Sequence, residues 1–293
     1  LYAAVYDADD NYLQDLSVDW TSSGNLDAVS ASGTSFTFSP TTSSTSGTIS
    51  ITSGSLTGDA TGTITVNGGA QAYLKIRDQS GGGGNEVGDV TMTTDQSLTL
   101  YSAVYDADGN FLQDLTASWT ISGNIDPGSP SGISYIFSPT DAFTSGRISV
   151  SSGALTGDET GTITVDGGAQ AYLKIRDQSN GEGAEVGDIT MTTDESLTLY
   201  AAVYDTDGNF LQDLSVDWIS SGDLDEVSRL DPTLTFSPIT ASTSGTISIS
   251  SGSLTGDATG TITVNSGAQA YLKIRDQSGG GGNEVGDVTM TTD

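Results

Sequence analysis

A phrase that recurs at a fixed interval constrains this chain more than anything else in it. "LYAAVYDADDNYLQDLSVDW" stands at Leu1, "LYSAVYDADGNFLQDLTASW" at Leu100 and "LYAAVYDTDGNFLQDLSVDW" at Leu199, 99 residues apart each time (100 − 1 and 199 − 100). The register holds without a gap through Trp20, Trp119 and Trp218, through Phe38, Phe137 and Phe236, and through Ala70, Ala169 and Ala268. A unit of that length can close a core of its own, whereas a solenoid repeat needs its neighbours to do so. The sequence therefore reads as a tandem array of small domains, with boundaries that give segments 1–68, 69–167, 168–266 and 267–293.

Within one period the apolar residues alternate, the mark of half-buried strands. In "AYLKIRD" Leu74 and Ile76 share one face while Lys75 and Arg77 share the other. "VTMTTDQSLTLYSAVYD" carries Leu98, Leu100, Ser102 and Val104 on one face, with Thr99, Tyr101 and Tyr105 opposite. "DADGN" interrupts it as a hairpin turn, since Gly and Asn tolerate positive φ. "FLQDLTASWTISG" then places Leu115, Ala117, Trp119 and Ile121 together, and "SYIFSP", "GRISVSSGAL" and "TGTITVDGG" supply three further strands. No helical period is present. About seven short strands per period, with one tryptophan early in the third, predict an all-β chain of two-sheet antiparallel sandwiches. Differences between copies agree: Phe36, Tyr135 and Leu234 keep an inward position apolar, while Asp19, Ser118 and Asp217 vary outside.

The run "TLYSAVYDADGNFLQDLTASWTISG", with "GRISVSSGALTGDETGTITV" behind it, resembles bacterial immunoglobulin-like (Big) domains, which occur in tandem in surface proteins such as the invasin- and intimin-type adhesins. The resemblance covers the whole chain, three times over. It implies head-to-tail Ig-like sandwiches, an extracellular or cell-surface setting, and a spacer or stalk without catalysis.

Composition excludes several function classes. There are 38 acidic residues against 8 basic ones and no His, a formal charge of −30. Six of the basic residues lie in one repeated stripe, Lys75/Arg77, Lys174/Arg176 and Lys273/Arg275. Such a chain repels nucleic acid and anionic lipid. No run approaches the roughly 18 apolar residues of a membrane span, so direct membrane insertion is not expected. Without Cys there are neither disulfides nor thiolate metal sites, and without His or Cys a serine lacks its usual activating base. An enzyme is not expected.

The acidic turns are the candidate metal site: Asp7, Asp9 and Asn11; Asp106, Asp108 and Asn110; Asp205, Asp207 and Asn209. Ca²⁺ takes six to eight oxygen ligands, and each turn offers three close together, with Asp59, Asp158 or Asp257 as candidates for more. The same residues are what a tight hairpin turn demands. Asp10 replaces the turn glycine in the first copy. "GGGGNEVGD" has no following lysine or helix for phosphate and reads as a flexible or neighbour-contacting loop.

Residues 267–293, "GAQAYLKIRDQSGGGGNEVGDVTMTTD", match the part of the period that elsewhere precedes the opening phrase. Two arrangements follow: continuation in a longer repeat chain, or donation of this segment to the next subunit in a head-to-tail fibre. The expected function is a structural subunit of an extracellular filament or stalk. The alternatives are an adhesin that recognises a glycan or surface protein through variable loops such as "AVSASGTS", "PGSPSGIS" and "EVSRLDPT", or an S-layer component.

Overall fold

The period-two pattern becomes strands throughout. A computed structural model describes residues 1–291, and these contain strands and turns but no helix. The chain forms two compact units, Leu1–Gly168 and Ala169–Asp293.

The second period, in the first unit, shows the complete arrangement. Its strands are β1 (Tyr73–Arg77), β2 (Val90–Thr93), β3 (Leu98–Tyr105), β4 (Phe111–Asp114), β5 (Ala117–Gly123), β6 (Ser131–Gly132), β7 (Ser134–Phe137), β8 (Thr144–Ser151), β9 (Asp158–Glu159) and β10 (Ile163–Asp166). One sheet is built on β3. Its residues Tyr101–Tyr105 pair with β1 on one edge, while Ala103–Tyr105 pair with β4 and Leu98–Tyr101 with β7. The other sheet runs β2-β10-β8-β5-β6, with β9 on β8. All pairs are antiparallel except β2 with β10, which run parallel from Val90↔Ile163 to Thr93↔Asp166. This is an Ig-like sandwich in which the first strand region is shared between both sheets.

The stretch from Val90 to Tyr105 is thus not one strand. It is β2 in one sheet and β3 in the other, turned at Thr94–Ser97. The "FLQDLTASWTISG" segment likewise divides, with β4 and β5 in different sheets. Between the sheets lie Leu74, Ile76, Met92, Leu100, Val104, Trp119, Phe137, Ile148, Val150, Ile163 and Val165, all buried. Trp119 donates its indole N–H to Gly132 O at 3.2 Å, so the ring is buried without an orphaned donor. Trp20 and Trp218 do the same to Gly33 O and Asp231 O.

The glycine-rich segment after β1 wraps a basic side chain with its backbone carbonyls. It carries the chain from one sheet to the other across the outer face. Arg77 lies inside it and donates to the carbonyls of Gly82, Gly83 and Gly84 at 3.1, 3.2 and 3.1 Å. Carbonyls converging on a guanidinium are the opposite polarity to a phosphate cradle. On the outward face of β3 Tyr105 is buried, stacked on Tyr73 and edge-on to Phe111, and Gly82 of the segment packs against the Phe111 ring.

The second unit repeats this plan. Tyr172–Arg176 pairs with Leu197–Tyr204, and Ile189–Thr192 runs parallel to Ile262–Asn265. Its core centres on Trp218, Phe236, Ile247 and Ile262.

The first period has Ala4–Tyr6 paired to Tyr12–Asp15, and Val18–Ser22 between Ser30–Gly33 and Ile49–Thr52. Its buried cluster is small. Phe38, Ile51, Ile64 and Val66 are only half-buried, whereas their counterparts Phe137, Val150, Ile163 and Val165 are fully enclosed.

Candidate functional site

The acidic turn of the second period lies at the junction with the first. A β-bulge between Val104 and Tyr105 leads into it. Asp106 N–H donates to Asn110 O and Gly109 N–H to Asp106 O, closing the hairpin. Gly109 sits at φ +87°, a backbone that Gly adopts without a Cβ penalty. In the first period Asp10 takes that place at φ +64°, among the residue types that tolerate it.

Asp106 is 2% exposed and accepts from every side. Its Oδ1 takes the N–H groups of Asp108 (3.1 Å) and Asn110 (2.9 Å) and the Asn110 amide (3.1 Å). Its Oδ2 takes the Asn110 amide (3.0 Å) and the N–H of Gly69 (3.0 Å). Gly69 belongs to the linker between the periods, and its N–H is the largest of the influences that hold the Asp106 carboxyl below its ordinary value.

Asn110 reaches the other way. Its Nδ2 donates to Thr41 O at 2.8 Å, and its Oδ1 accepts from Ser43 N–H at 3.0 Å, both in the first period. The loop that presents Thr41 and Ser43 is in turn held by Asp27. One Asp27 carboxylate oxygen accepts from Thr41 N–H at 2.6 Å and from Thr42 N–H at 3.2 Å. These bonds, Thr41 N–H foremost, lower the Asp27 carboxyl to about 2. A polar relay therefore crosses the junction: Asp27, the 41–43 loop, Asn110, Asp106, Gly69. The linker glycines pack closely against it. A Cβ on Gly68 would lie 2.4 Å from Leu112 Cδ2, and one on Gly69 would lie 3.3 Å from Asp106 Cβ.

The other turns keep the local geometry. Asp205 is buried and accepts from Asp207 N–H, Asn209 N–H and the Asn209 amide. Asp7 makes the same bonds to Asp9 and Asn11 but is exposed. Its carboxyl is also lowered, first by the Asn11 N–H.

As folded, the Asp106 carboxylate is turned toward N–H donors rather than presented to a cation. A carboxylate has about four lone-pair positions, and those of Asp106 are committed to N–H donors. Asp158 does not reach the turn. One of its oxygens accepts Ile76 N–H at 2.7 Å, and the other lies 3.7 Å from Lys75 Nζ. Among the described residues no group of three or more acidic side chains is placed to hold a metal ion.

Sequence reasoning found the turn but missed Asp27, the 41–43 loop and Gly69. Asp27, Asp126 and Asp225 recur in every copy, whereas Thr41 and Thr140 give way to Ile239, and Ser43 to Ala142 and Ala241. The loop takes part through its backbone, so its side chains vary and conceal its role. The segments read as variable loop tips are elsewhere: Ser30–Gly33, Ser131–Gly132 and Ser228–Asp231 are edge strands beside the tryptophan strand.

No family model matches the chain, and no curated protein matches it. Among solved structures it is similar to extracellular domains 3–5 of Drosophila OTK, at 11% identity and a TM-score of 0.34 over 67% of each chain. It is similar to chicken CNTN1 FN1–FN3, at 9% identity and a TM-score of 0.31 over 82% of this chain and 85% of that one. Against the N-terminal four Ig domains of Dscam1 isoform 7.44 it shows 6% identity and a TM-score of 0.31 over 76% of its length, and it spans about half, 54%, of that fragment. The Ig-like assignment rests on the strand order inside the second and third periods: tandem all-β sandwiches whose first strand region changes sheets.

Proposed function

We propose that this chain is a structural stretch of an extracellular filament or surface stalk, made of serial Ig-like domains of the bacterial type and without catalysis. One observation carries the reading: the relay through Asn110 and Asp106 ties one period to the next within the first unit. A string of sandwiches transmits position or load only if its junctions resist bending, and here the most polar turn of the domain is spent on the junction. The high negative charge suits a thread that stays dispersed. An adhesin would need a recognition surface in addition to this junction.

Hydrogen exchange on the full chain tests the reading. The Ser43 and Gly69 amides are expected to exchange slowly, and Asn110→Ala is expected to release both without altering exchange in β5 and β8. Fast exchange of both amides in the wild-type chain would mean that the periods hang loosely and would remove the stalk.

A further inference from the structure

At the end of the last strand of each period stand Asn67, Asp166 and Asn265, followed by Gly68, Gly167 and Ser266. Val66, Val165 and Val264 just before them pack on the core, so alternation turns all three side chains outward, and all three are exposed. Among the described residues neither the Asn67 side chain nor the Gly68 N–H has a hydrogen-bond partner. An asparagine followed by glycine carries its own nucleophile. The next backbone nitrogen can reach the side-chain Cγ, and glycine, lacking a Cβ, hinders that approach least.

We propose that Asn67–Gly68 is a site of spontaneous backbone modification, and that its isoaspartyl form unfastens the junction beside it. Gly68 N attacks Asn67 Cγ, and its proton passes through solvent to the departing amide nitrogen, which leaves as ammonia. The product is a succinimide ring. Water then opens the ring at either carbonyl. Attack at Cγ leaves an ordinary aspartate, which the fold already accepts, since Asp166 holds the same outward position in the second period. Attack at the main-chain carbonyl leaves an isoaspartate, whose backbone runs through the former side chain and gains a methylene. The linker has no room for that. Gly69 N–H is set 3.0 Å from Asp106 Oδ2, and a Cβ on Gly68 would lie 2.4 Å from Leu112 Cδ2, so a methylene inserted just ahead of them displaces both.

The same dipeptide recurs at Asn180–Gly181 and is held differently. Asn180 has φ +60° and its N–H donates to Asp213 at 2.9 Å, while a Cβ on Gly181 would lie 2.5 Å from the Phe210 ring. Ring closure there has to break that bond and lift the turn off Phe210 first. At Asn265 the following Ser266 brings a Cβ that crowds the attacking nitrogen. Asn67 alone of the three combines an unencumbered nucleophile with an exposed, unbonded amide. The modification stands apart from the stalk reading; only its effect on the junction rests on the same relay.

Ageing the full chain in mildly alkaline buffer, with its peptides mapped by mass and isoaspartate resolved by chromatography, tests both halves. The Asn67 peptide is expected to exchange NH2 for OH about ten-fold faster than the Asn180 and Asn265 peptides, with isoaspartate among its products. Hydrogen exchange at the Gly69 amide is expected to speed up in the aged chain. Asn67→Gln, whose longer side chain closes the ring poorly and whose site is exposed, should age without either change. An unmodified Asn67, equal rates at Asn67 and Asn180, or isoaspartate at residue 67 with Gly69 exchange unmoved would each overturn the proposal. Fast Gly69 exchange in the fresh chain would strike the stalk reading and the unfastening together, and the mass map would still decide the modification.

Discussion

Ser102 is a hydroxyl placed where the other copies have a methyl group. It points between the sheets of the second period, it is fully buried, and its Oγ has no hydrogen-bond partner among the described residues. The first and third copies carry Ala3 and Ala201 at this position, both buried. A buried hydroxyl left unpaired costs roughly 1–3 kcal/mol, and its removal here leaves almost no cavity. Ser102→Ala is therefore expected to raise the stability of the second period by about 1 kcal/mol, read by denaturant unfolding of the full chain. No change would show that the hydroxyl is satisfied after all. Alternation alone placed Ser102 on the inward face. That its hydroxyl goes unpaired was not legible, because the outcome depends on which carbonyls come within reach in three dimensions.

Among the elements, the glycine-rich crossover shows most clearly what the sequence encoded. The third copy replaces two of its four glycines, giving Asn180 and Glu182 where the second has Gly81 and Gly83. It keeps Gly181 and Gly183. A Cβ on their counterparts would lie 2.4 Å from the Phe111 ring at Gly82 and 1.8 Å from Asp78 Oδ1 at Gly84, and both have positive φ. Gly81 has open space around its Cβ position, and Asn180 holds the same left-handed backbone at φ +60°. Gly82→Ala should thus cost roughly 2–3 kcal/mol and Gly81→Ala about 1 kcal/mol, while Gly81→Asn should be close to neutral. Equal costs for both alanine variants would mean that the loop does not press on Phe111. The strands were readable because alternation is local. The crossover was not, because glycine sets no direction; nor was the parallel β2–β10 pair, which joins residues more than seventy positions apart. The 41–43 loop adds a dependence on acidity. Asp27 has its carboxyl lowered from 3.8 to about 2, first by Thr41 N–H, so the folded state favours the ionised form. That contribution is fully present above the ordinary value and is lost as pH falls through about 2. Thermal unfolding across pH 5 to 2 should show stability draining over this interval, and Asp27→Asn should flatten the slope there while lowering stability at neutral pH. An unchanged slope would detach Asp27 from the loop.

For the whole molecule the governing quantity is a formal charge of −30 spread over domains with modest cores. Self-repulsion among like charges works against the compact state and against the approach of a second copy, and both effects are screened beyond a Debye length. The junction relay bears on this because it gathers Asp27 and Asp106 where N–H donors, rather than cations, compensate them. Two kinds of cation effect are then distinguishable. If the turns are hydrogen-bonded hairpins as folded, any salt should stabilise the chain through screening alone. The melting temperature should climb smoothly from about 10 mM to about 500 mM NaCl, and CaCl2 and MgCl2 at matched ionic strength should give coincident curves. If a turn opened to take Ca²⁺ as an oxygen ligand set, calcium would stabilise the chain far more than magnesium, and would do so at concentrations too low to screen. The coincident curves are the expected outcome, since Asp106 would have to give up the Gly69 and Asn110 bonds that close the junction before it could turn toward a metal.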